Sequence, residues 1–319
     1  MERKMIKKFF KNRELEIKFF VFLAMGLSLL LLVSYVLGSK IERGDNSVGT
    51  GLVQSRFPEM MLKAKAAYVY DARTKTVLYA KNENTRMPLA SLTKVMSALV
   101  AKELSPDYST VTISRSALDT DGDSGLRPGE KWRLKDILDF SLVASSNDGM
   151  RAVALALGAL EQSDASDEEI IGEFVSRMNR KAAEIDLKNT YFRNETGLDE
   201  TEFKGGAYGT ARDMSSLMEY ILLYHPDLLE ATQEVSMFAL SLDDYRHEAK
   251  NTNPLAGRIP GLVASKTGFT NTAGGNLALI FDPELGRPIV VTILGSTEEG
   301  RFEDAQTLIN ATLKHLNEN

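Results

Sequence analysis

Twenty consecutive residues without a charge, Phe19 to Gly38, limit what this chain can fold into more than any other feature of its sequence. An α-helix of that length is about 30 Å long, which is the thickness of the hydrocarbon core of a bilayer. The alternative is a cleavable signal peptide, whose apolar stretch is normally only about 7–15 residues. The Val36-Leu37-Gly38 end of the stretch offers no small-x-small cleavage pattern. We therefore predict an uncleaved transmembrane signal-anchor over residues 19–38.

The charges on the two sides of this segment predict its orientation. Residues 1–18 contain seven basic and three acidic side chains, a net charge of +4. The whole chain has a net charge of −6, so the remaining residues carry −10. Basic flanks stay in the cytoplasm, which predicts a single-pass protein with a cytoplasmic tip over 1–18 and its body on the outer side. An acidic body also argues against nucleic acid as a partner, because phosphate binding needs a basic surface.

Beyond the apolar segment the composition predicts one globular domain. Residues 39–61 are polar and contain glycines without a sustained period, which is typical of a linker. Residues 62–319 show no composition break, and the chain as a whole is 43% hydrophobic and 26% charged, as in ordinary globular proteins. The absence of cysteine excludes disulfides, thiolate metal sites and a cysteine nucleophile.

The hydrophobic periodicity predicts strands at both ends of this domain and helices between them. The predicted elements are the hairpin strands Ala66–Tyr70 and Thr76–Ala80, a helix following Pro88–Lys94, the helical stretches Leu134–Leu157, Asp167–Asp186 and Ala211–Leu223, the strands Val263–Phe269, Gly275–Phe281 and Pro288–Leu294, and a closing helix Glu303–Leu316. This order predicts an α+β fold, with an antiparallel sheet built from both ends of the domain and a mostly helical central subdomain.

The three histidines do not point to catalysis. His225 precedes a proline, His247 lies in a polar run and His315 is close to the end of the chain, so each is interpreted as a surface residue. The sequence also lacks an H-E-x-x-H zinc motif, a G-x-S-x-G elbow and a phosphate-binding loop. We therefore predict no metal and no cofactor.

Three short motifs point to a different chemistry. Each is weak alone, but together they occur in order and at the expected element boundaries. They are Ser91-x-x-Lys94, Ser145-Ser146-Asn147 and Lys266-Thr267-Gly268.

The first motif places an amine beside a hydroxyl, because residues i and i+3 share a helix face. The Lys94 amine can take the Ser91 proton only if its pKa falls well below about 10.4. A second positive charge about 4 Å away, at an effective dielectric of about 20, lowers a pKa by close to three units. We therefore predict that Lys266 supplies that charge. At a helix N-terminus, the Ser91 N–H can also face a developing oxyanion.

With these motifs the chain resembles the D-alanyl-D-alanine carboxypeptidases, the low-molecular-mass penicillin-binding serine peptidases, over residues 62–316. Further matching segments are Ser124–Glu130, Asn147-Asp148, Asn189–Phe192, Thr196–Leu198, Thr210–Asp213, Asn251–Asn253, Phe269-Thr270, Ala273-Gly274, Asn276-Leu277 and Gly300-Arg301. The resemblance implies a β-lactamase/transpeptidase-like fold for the catalytic domain, 62–319. It also implies a bacterial cell membrane location, with the bilayer contacted through 19–38.

The resemblance implies catalytic roles for five residues. Ser91 would be the acylated nucleophile and Lys94 its general base. Ser145 and Lys266 would pass the proton to the leaving D-alanine, and Asn147 would hold the peptide amide of the substrate. The implied substrates are peptidoglycan stem peptides that end in D-Ala-D-Ala, and β-lactams would acylate Ser91 as covalent inhibitors.

The resemblance also implies how the substrate is bound. The backbone N–H groups of Ser91 and Phe269 would form the oxyanion hole. The remaining substrate-binding residues would be Thr267, Gly268, Thr270 and Arg301. A guanidinium suits the terminal carboxylate that a carboxypeptidase has to recognise.

The sequence departs from the family pattern at several places. Many relatives carry a β-rich C-terminal domain and an amphipathic C-terminal anchor; neither is expected here, since the sequence ends at Asn319 and the N-terminal helix would take over anchoring. Gly149, Ser265 and Gly275 replace an alanine, a small hydrophobic residue and an aromatic residue, respectively. None of these changes removes a catalytic group, but they bear on fine substrate preference.

Three alternative functions remain open at this stage. A D,D-endopeptidase that cuts peptidoglycan cross-links would use the same groups. A class A β-lactamase would need an E-x-x-L-N loop, and neither Glu184 nor Glu195 begins that pattern. A non-catalytic muropeptide-binding sensor is disfavoured because every motif residue is intact.

Overall fold

The structure is a computed structural model that describes residues 57–161 and 165–318. The predicted cytoplasmic tip, the predicted transmembrane helix over 19–38 and residues 39–56 of the predicted linker lie outside the described residues. Among the residues that the structure describes, no helix is both long and apolar enough to cross a bilayer.

The described elements begin with a strand pair and end with three long strands and a closing helix, and the other helices lie between them, as the periodicity predicts. The strands are β1 (Ala66–Asp71), β2 (Thr76–Lys81), β3 (Met87–Pro88), β4 (Thr110–Thr112), β5 (Lys131–Arg133), β6 (Tyr191–Phe192), β7 (Ala207–Gly209), β8 (Ser236–Leu240), β9 (Arg246–Lys250), β10 (Leu262–Thr270), β11 (Gly274–Phe281) and β12 (Ile289–Ser296). The α-helices are α1 (Thr93–Leu104), α2 (Arg115–Leu118), α3 (Leu134–Val143), α4 (Asn147–Gly158), α5 (Asp167–Glu184), α6 (Ala211–Tyr224) and α7 (Gly300–Glu318).

The main sheet confirms the prediction that both ends of the domain build it. Its order is β10-β11-β12-β1-β2, and every neighbouring pair is antiparallel. All eight residues of the central strand β12 are buried. Because side chains alternate along a strand, Val290 and Leu294 face one hydrophobic cluster while Val291 and Ile293 face the other. The sheet is therefore covered on both faces.

The two covers differ in kind. On one face α7 contributes Phe302 and Leu308 to the smaller cluster. On the other, the helical subdomain packs around α1, whose residues Thr93–Ala101 are all buried. A helix that is buried on every side belongs in the middle of a domain, so the residues in its first turn are held rigidly.

The predicted helical stretch Leu134–Leu157 is wrong as one piece, because it breaks between α3 and α4. Ser145 has φ +58°, a left-handed conformation that an α-helix of L-residues does not contain. The Ser146 hydroxyl then accepts from the Gly149 N–H and caps the start of α4. The break places Ser145, the first residue of the second motif, between the end of α3 and the start of α4.

His247 corrects the interpretation of the histidines as surface residues. Along β9 exposed and buried residues alternate, and His247 is on the buried side. Its Nε2 lies 2.6 Å from Oε1 of the buried Glu130, and its ring lies against Trp132 at 5.1 Å between centroids. The polar composition of this run hid its two-residue period.

Candidate active site

The serine of the first motif lies in a single 3₁₀ turn, Ala90–Leu92, that leads directly into α1. Ala90 has φ +50°, which is unfavourable for a residue with a side chain by about 1–2 kcal/mol. Such conformations persist only where the surrounding structure enforces them, and they occur often at functional sites. The Ser91 backbone is therefore held in a fixed orientation before the rigid helix begins.

Lys94 lies one turn beyond Ser91 and is fully buried. Its Nζ donates to Ser91 Oγ at 2.9 Å and to the Thr196 carbonyl oxygen at 3.0 Å. Burial lowers the pKa of the Lys94 ammonium from its usual 10.5 to about 7, while the charges of Glu195 and Asp148 act in the opposite direction. The amine is thus positioned and substantially neutral near physiological pH, as a general base requires.

The cause of that low pKa differs from the expectation. Lys266 was predicted to lower the pKa of Lys94 by its charge, but the main cause is the removal of Lys94 from water. The effect runs the other way: burial, followed by the charges of Lys94 and Arg301, lowers the pKa of Lys266 well below 10.5. Two buried amines with low pKa values make the site able to move protons without holding two positive charges.

The second motif meets the third across the site. Lys266 Nζ donates to Ser145 Oγ at 2.8 Å and to the Thr267 carbonyl oxygen at 2.9 Å. Asn147 Nδ2 donates to the carbonyl oxygen of Asp121 at 2.7 Å, whereas its Oδ1 is buried without a hydrogen-bond partner. An unpaired buried acceptor of this kind can receive a peptide N–H from a bound molecule.

Strand β10 lies directly against the nucleophile turn. A Cβ atom on Gly268 would be 2.9 Å from the Leu89 carbonyl oxygen and 3.1 Å from the Ser91 nitrogen. The absence of a side chain lets the strand approach this closely. This close approach brings Ser91 near Phe269, the residue that follows Gly268; both were predicted to line an oxyanion hole. The Phe269 side chain is partly exposed.

Arg301, in the first turn of α7, reaches the same strand from behind. Its Nη1 donates to the Gly268 carbonyl oxygen at 3.0 Å, and its Nε is buried without a partner. Within residues 57–161 and 165–318 no carboxylate lies at ion-pair distance from it. Burial lowers the pKa of Arg301, although a guanidinium stays charged at any ordinary pH. A buried, unpaired cation is suited to bind an anionic group.

The two threonines of this strand have partners of their own. Thr267 Oγ1 lies 2.6 Å from Thr252 Oγ1, and Thr270 Oγ1 donates to Asp199 Oδ1 at 2.9 Å. A bound carboxylate near Arg301 would have to share the Thr267 hydroxyl with Thr252. No group of three or more His, Asp or Glu side chains in the described part of the chain is placed to hold a metal ion.

Replacing Arg301 by glutamine should raise KM for a peptide with a free C-terminal carboxylate and lower kcat/KM about ten- to a hundredfold. That range corresponds to the loss of one charged hydrogen-bonded contact, about 1.5–3 kcal/mol. The same steady-state kinetics are measured with the peptide amidated at its C-terminus. The substitution should change kcat/KM for the amidated peptide only a little, because that peptide has no carboxylate for Arg301 to bind. The exposed Arg258→Gln variant is the control, and an unchanged KM in Arg301→Gln would contradict the role.

Some residues of the site were missed by the sequence analysis. Glu195 was considered only as a possible start of the E-x-x-L-N pattern, which it does not match. It is nevertheless buried, and its charge acts on Lys94. Its partner Arg151, at 3.1 Å, was not considered. Their only sequence signal is proximity to matching segments, since Arg151 follows Asn147-Asp148 and Glu195 precedes Thr196–Leu198.

The fold and these contacts define a class of protein: serine peptidases in which a lysine amine, not a histidine, is paired with the serine hydroxyl. The family model described as D-alanyl-D-alanine carboxypeptidase matches residues 53–296, and the chain belongs to that family.

Individual relatives agree with the family. D-alanyl-D-alanine carboxypeptidase DacF of Bacillus subtilis is 32% identical over 77% of this chain and 61% of its own length. The chain thus spans about three fifths of that relative. A D-alanyl-D-alanine endopeptidase of Pseudomonas aeruginosa is 30% identical over 68% of this chain and 67% of its own length. The crystal structure of penicillin-binding protein D2 from Listeria monocytogenes, in its cefotaxime-bound form, has 28% identity and a TM-score of 0.65 and covers 80% of this chain and 99% of its own.

Proposed function

We propose that this protein is a membrane-anchored serine D,D-carboxypeptidase that removes the terminal D-alanine from peptidoglycan stem peptides. The observation that carries the proposal is the contact between Ser91 Oγ and the buried amine of Lys94, whose pKa is about 7. A hydroxyl so paired is a nucleophile at neutral pH. Membership of the family and the relatives named above support the substrate class.

Acylation would start with proton transfer from Ser91 to neutral Lys94. The Ser91 oxygen then bonds to the carbonyl carbon of the penultimate D-alanine, and the backbone N–H groups of Ser91 and Phe269 stabilise the resulting oxyanion. When the tetrahedral intermediate collapses, the C–N bond breaks, and the proton that Lys94 took from Ser91 passes to the leaving nitrogen through Ser145 and Lys266, which leaves Lys94 neutral again. Free D-alanine departs, and water later hydrolyses the ester and regenerates Ser91.

Substrate orientation would come from the two ends of the site. Arg301 and Thr267 would hold the terminal carboxylate, with Gly268 and Thr270 contributing the strand edge. Asn147 would accept a hydrogen bond from the peptide backbone at its unpaired Oδ1. β-Lactams, which carry a strained amide and a carboxylate, would acylate Ser91 by the same route and act as inhibitors.

Anchoring would come from residues 19–38, with the tip in the cytoplasm and the catalytic domain outside the membrane. The charge-free length and the basic flank support this arrangement. Intact mass of the protein extracted from membranes tests it. The full-length mass is expected, and loss of the first ~40 residues would mean a cleaved signal peptide.

A second function has a specific observation in its favour: the Pseudomonas aeruginosa relative is a D-alanyl-D-alanine endopeptidase. An endopeptidase would cut the same bond type within a cross-link, without a free carboxylate beside Arg301. Comparing a cross-linked muropeptide with a pentapeptide in one assay separates the two activities.

The full chain in detergent should release D-alanine from a pentapeptide that ends in D-Ala-D-Ala and should be labelled by a fluorescent penicillin. Both signals should vanish in Ser91→Ala, because no other group carries the acyl bond. Ser105→Ala, at the far end of the helix that follows the Ser91 turn, is the control and should keep both. Absence of both signals in the unaltered protein, or their survival in Ser91→Ala, would overturn the proposal.

A further inference from the structure

A buried ion pair lies behind the catalytic lysine. Glu195 is 1% exposed, and its Oε1 lies 3.1 Å from Nη1 of Arg151, whose side chain is 29% exposed. Oε2 of Glu195 is buried without a hydrogen-bond partner. A carboxylate loses several kcal/mol of hydration when it is buried, so an incompletely paired one calls for a physical reason.

The loop that carries Glu195 is fastened to the helix that carries Lys94. The Ser97 hydroxyl donates to the Glu195 carbonyl oxygen at 2.6 Å, and Lys94 Nζ donates to the next carbonyl oxygen, that of Thr196. Gly197, which follows, is so close that a Cβ atom on it would be 1.9 Å from the Ala90 carbonyl oxygen. The loop therefore holds Glu195 at a fixed position relative to both reacting groups.

Asp148, the other carboxylate whose charge acts on Lys94, is in a different situation. Its oxygens accept from the Ser124 N–H at 3.1 Å, from the Gly149 N–H at 2.9 Å and from the Ser146 hydroxyl. These uncharged donors stabilise the Asp148 carboxylate without a cation. Glu195 acts on Lys94 more strongly than Asp148 does, and it has one oxygen left unpaired.

We propose that Glu195, held in place by Arg151, is a positioning residue that stabilises the ammonium formed when Lys94 takes the Ser91 proton. The inference rests on the proposed acylation mechanism. Before proton transfer Lys94 is neutral; afterwards it carries a positive charge in a water-poor site. A fixed negative charge beside it favours the second state, and so lowers the barrier to acylation.

The sign of the effect follows from the charges that face Lys94. Glu195 and Asp148 favour its charged form. Lys266, across the site, is the group whose own pKa the charge of Lys94 lowers. Arg151 forms an ion pair with Glu195 and so offsets part of its negative charge. Removing the charge of Glu195 therefore lowers the pKa of Lys94 below about 7 and makes it a weaker base. Removing the charge of Arg151 does the opposite.

Two substitutions in the full chain test this. In Glu195→Gln the pKa of Lys94 should fall by about one unit or more, and the maximal rate of labelling by a fluorescent penicillin should fall about tenfold. In Arg151→Gln the same pKa should rise. The pKa is read from the pH titration of the ¹³Cε signal of Lys94 in protein with labelled lysines, assigned by its absence in Lys94→Met.

A purely structural role for the pair predicts lower rates at every pH without opposite shifts of the Lys94 titration. If Glu195→Gln does not fold, the double variant Glu195→Met/Arg151→Met should, since apolar replacements of a buried pair are often tolerated. Its Lys94 pKa should then lie below that of the unaltered protein. Glu173→Gln, which breaks the ion pairs of Glu173 with Arg177 and Arg180 on α5, is the matched control and should leave the Lys94 titration unchanged.

An unchanged Lys94 titration in Glu195→Gln, or shifts of the same sign in Glu195→Gln and Arg151→Gln, would overturn the inference. The titration is measured on the resting protein, so it does not depend on turnover. If the opposite shifts of the Lys94 pKa are observed but the protein does not release D-alanine, the result counts against the proposed substrate and leaves the electrostatic role intact.

Discussion

Replacing Lys94 by methionine should slow acylation of Ser91 by about a thousandfold or more, whatever the acyl donor. The change removes the only amine in contact with the Ser91 hydroxyl among the described residues. General base catalysis typically contributes about 10²–10⁴ in rate, and here the amine also orients the hydroxyl. Methionine fills a similar volume in a site that is completely buried, so the fold should persist and its thermal stability should not fall much.

The measurement is the second-order rate of labelling by a fluorescent penicillin, together with thermal unfolding followed by circular dichroism. Lys102→Met is the matched control, because Lys102 lies on the same helix but is paired with Asp107 and Asp227. That variant should lose some stability and keep the acylation rate. A Lys94→Met protein that still reacts at more than a tenth of the original rate would rule out the amine as the base.

The main sheet could be predicted from the sequence because its central strand is a largely apolar run and its other strands lie at the two ends of the domain. β12 is buried along its whole length, and a short apolar run such as Ile289–Leu294 is typical of a strand that is covered on both faces. The three motifs could also be identified from the sequence, because they occur in order. Ser91 lies in the 3₁₀ turn that leads into α1 and Lys94 lies in the first turn of α1, so a separation of three residues in continuous helical backbone brings them together.

The conformation of Ser145 could not be predicted in that way. A serine has no intrinsic preference for φ +58°. The polar run Ser145–Gly149 between two apolar stretches indicates where a break could fall, but it does not predict that conformation. The Ser145 hydroxyl accepts a hydrogen bond from Lys266, which is 121 residues away. Long-range constraints of this kind leave no local signal in one sequence.

The electrostatics of the site were predicted in direction but not in cause. A neighbouring cation was expected to lower the pKa of Lys94, whereas burial is the main cause and Glu195 opposes it. Burial depends on how α1, α4 and the loop at Thr196 pack together. That packing is a property of the whole domain, which is why composition and spacing did not reveal it.

Gly197 should tolerate no side chain at all. With φ +82°, a Cβ atom there would be 1.9 Å from the Ala90 carbonyl oxygen and 2.5 Å from Thr93 Oγ1. The left-handed conformation costs an alanine about 1–2 kcal/mol, and the overlap adds about 1–3 kcal/mol because it involves backbone. Gly197→Ala should therefore lose about 2–5 kcal/mol of stability, which lowers Tm by roughly 4–20 °C in a domain of this size.

The same substitution should abolish acylation, because relief of the overlap moves the turn that holds Ser91 away from Lys94. Gly129→Ala is the matched control: Gly129 has φ +80°, and a Cβ atom there would have nothing within 4 Å. It carries the conformational cost without the overlap, so it should lose only about 1–2 kcal/mol and should keep its rate of penicillin labelling. Equal losses of Tm in the two variants would mean that backbone conformation alone, and not the close approach of the loop to the nucleophile turn, makes glycine necessary at position 197.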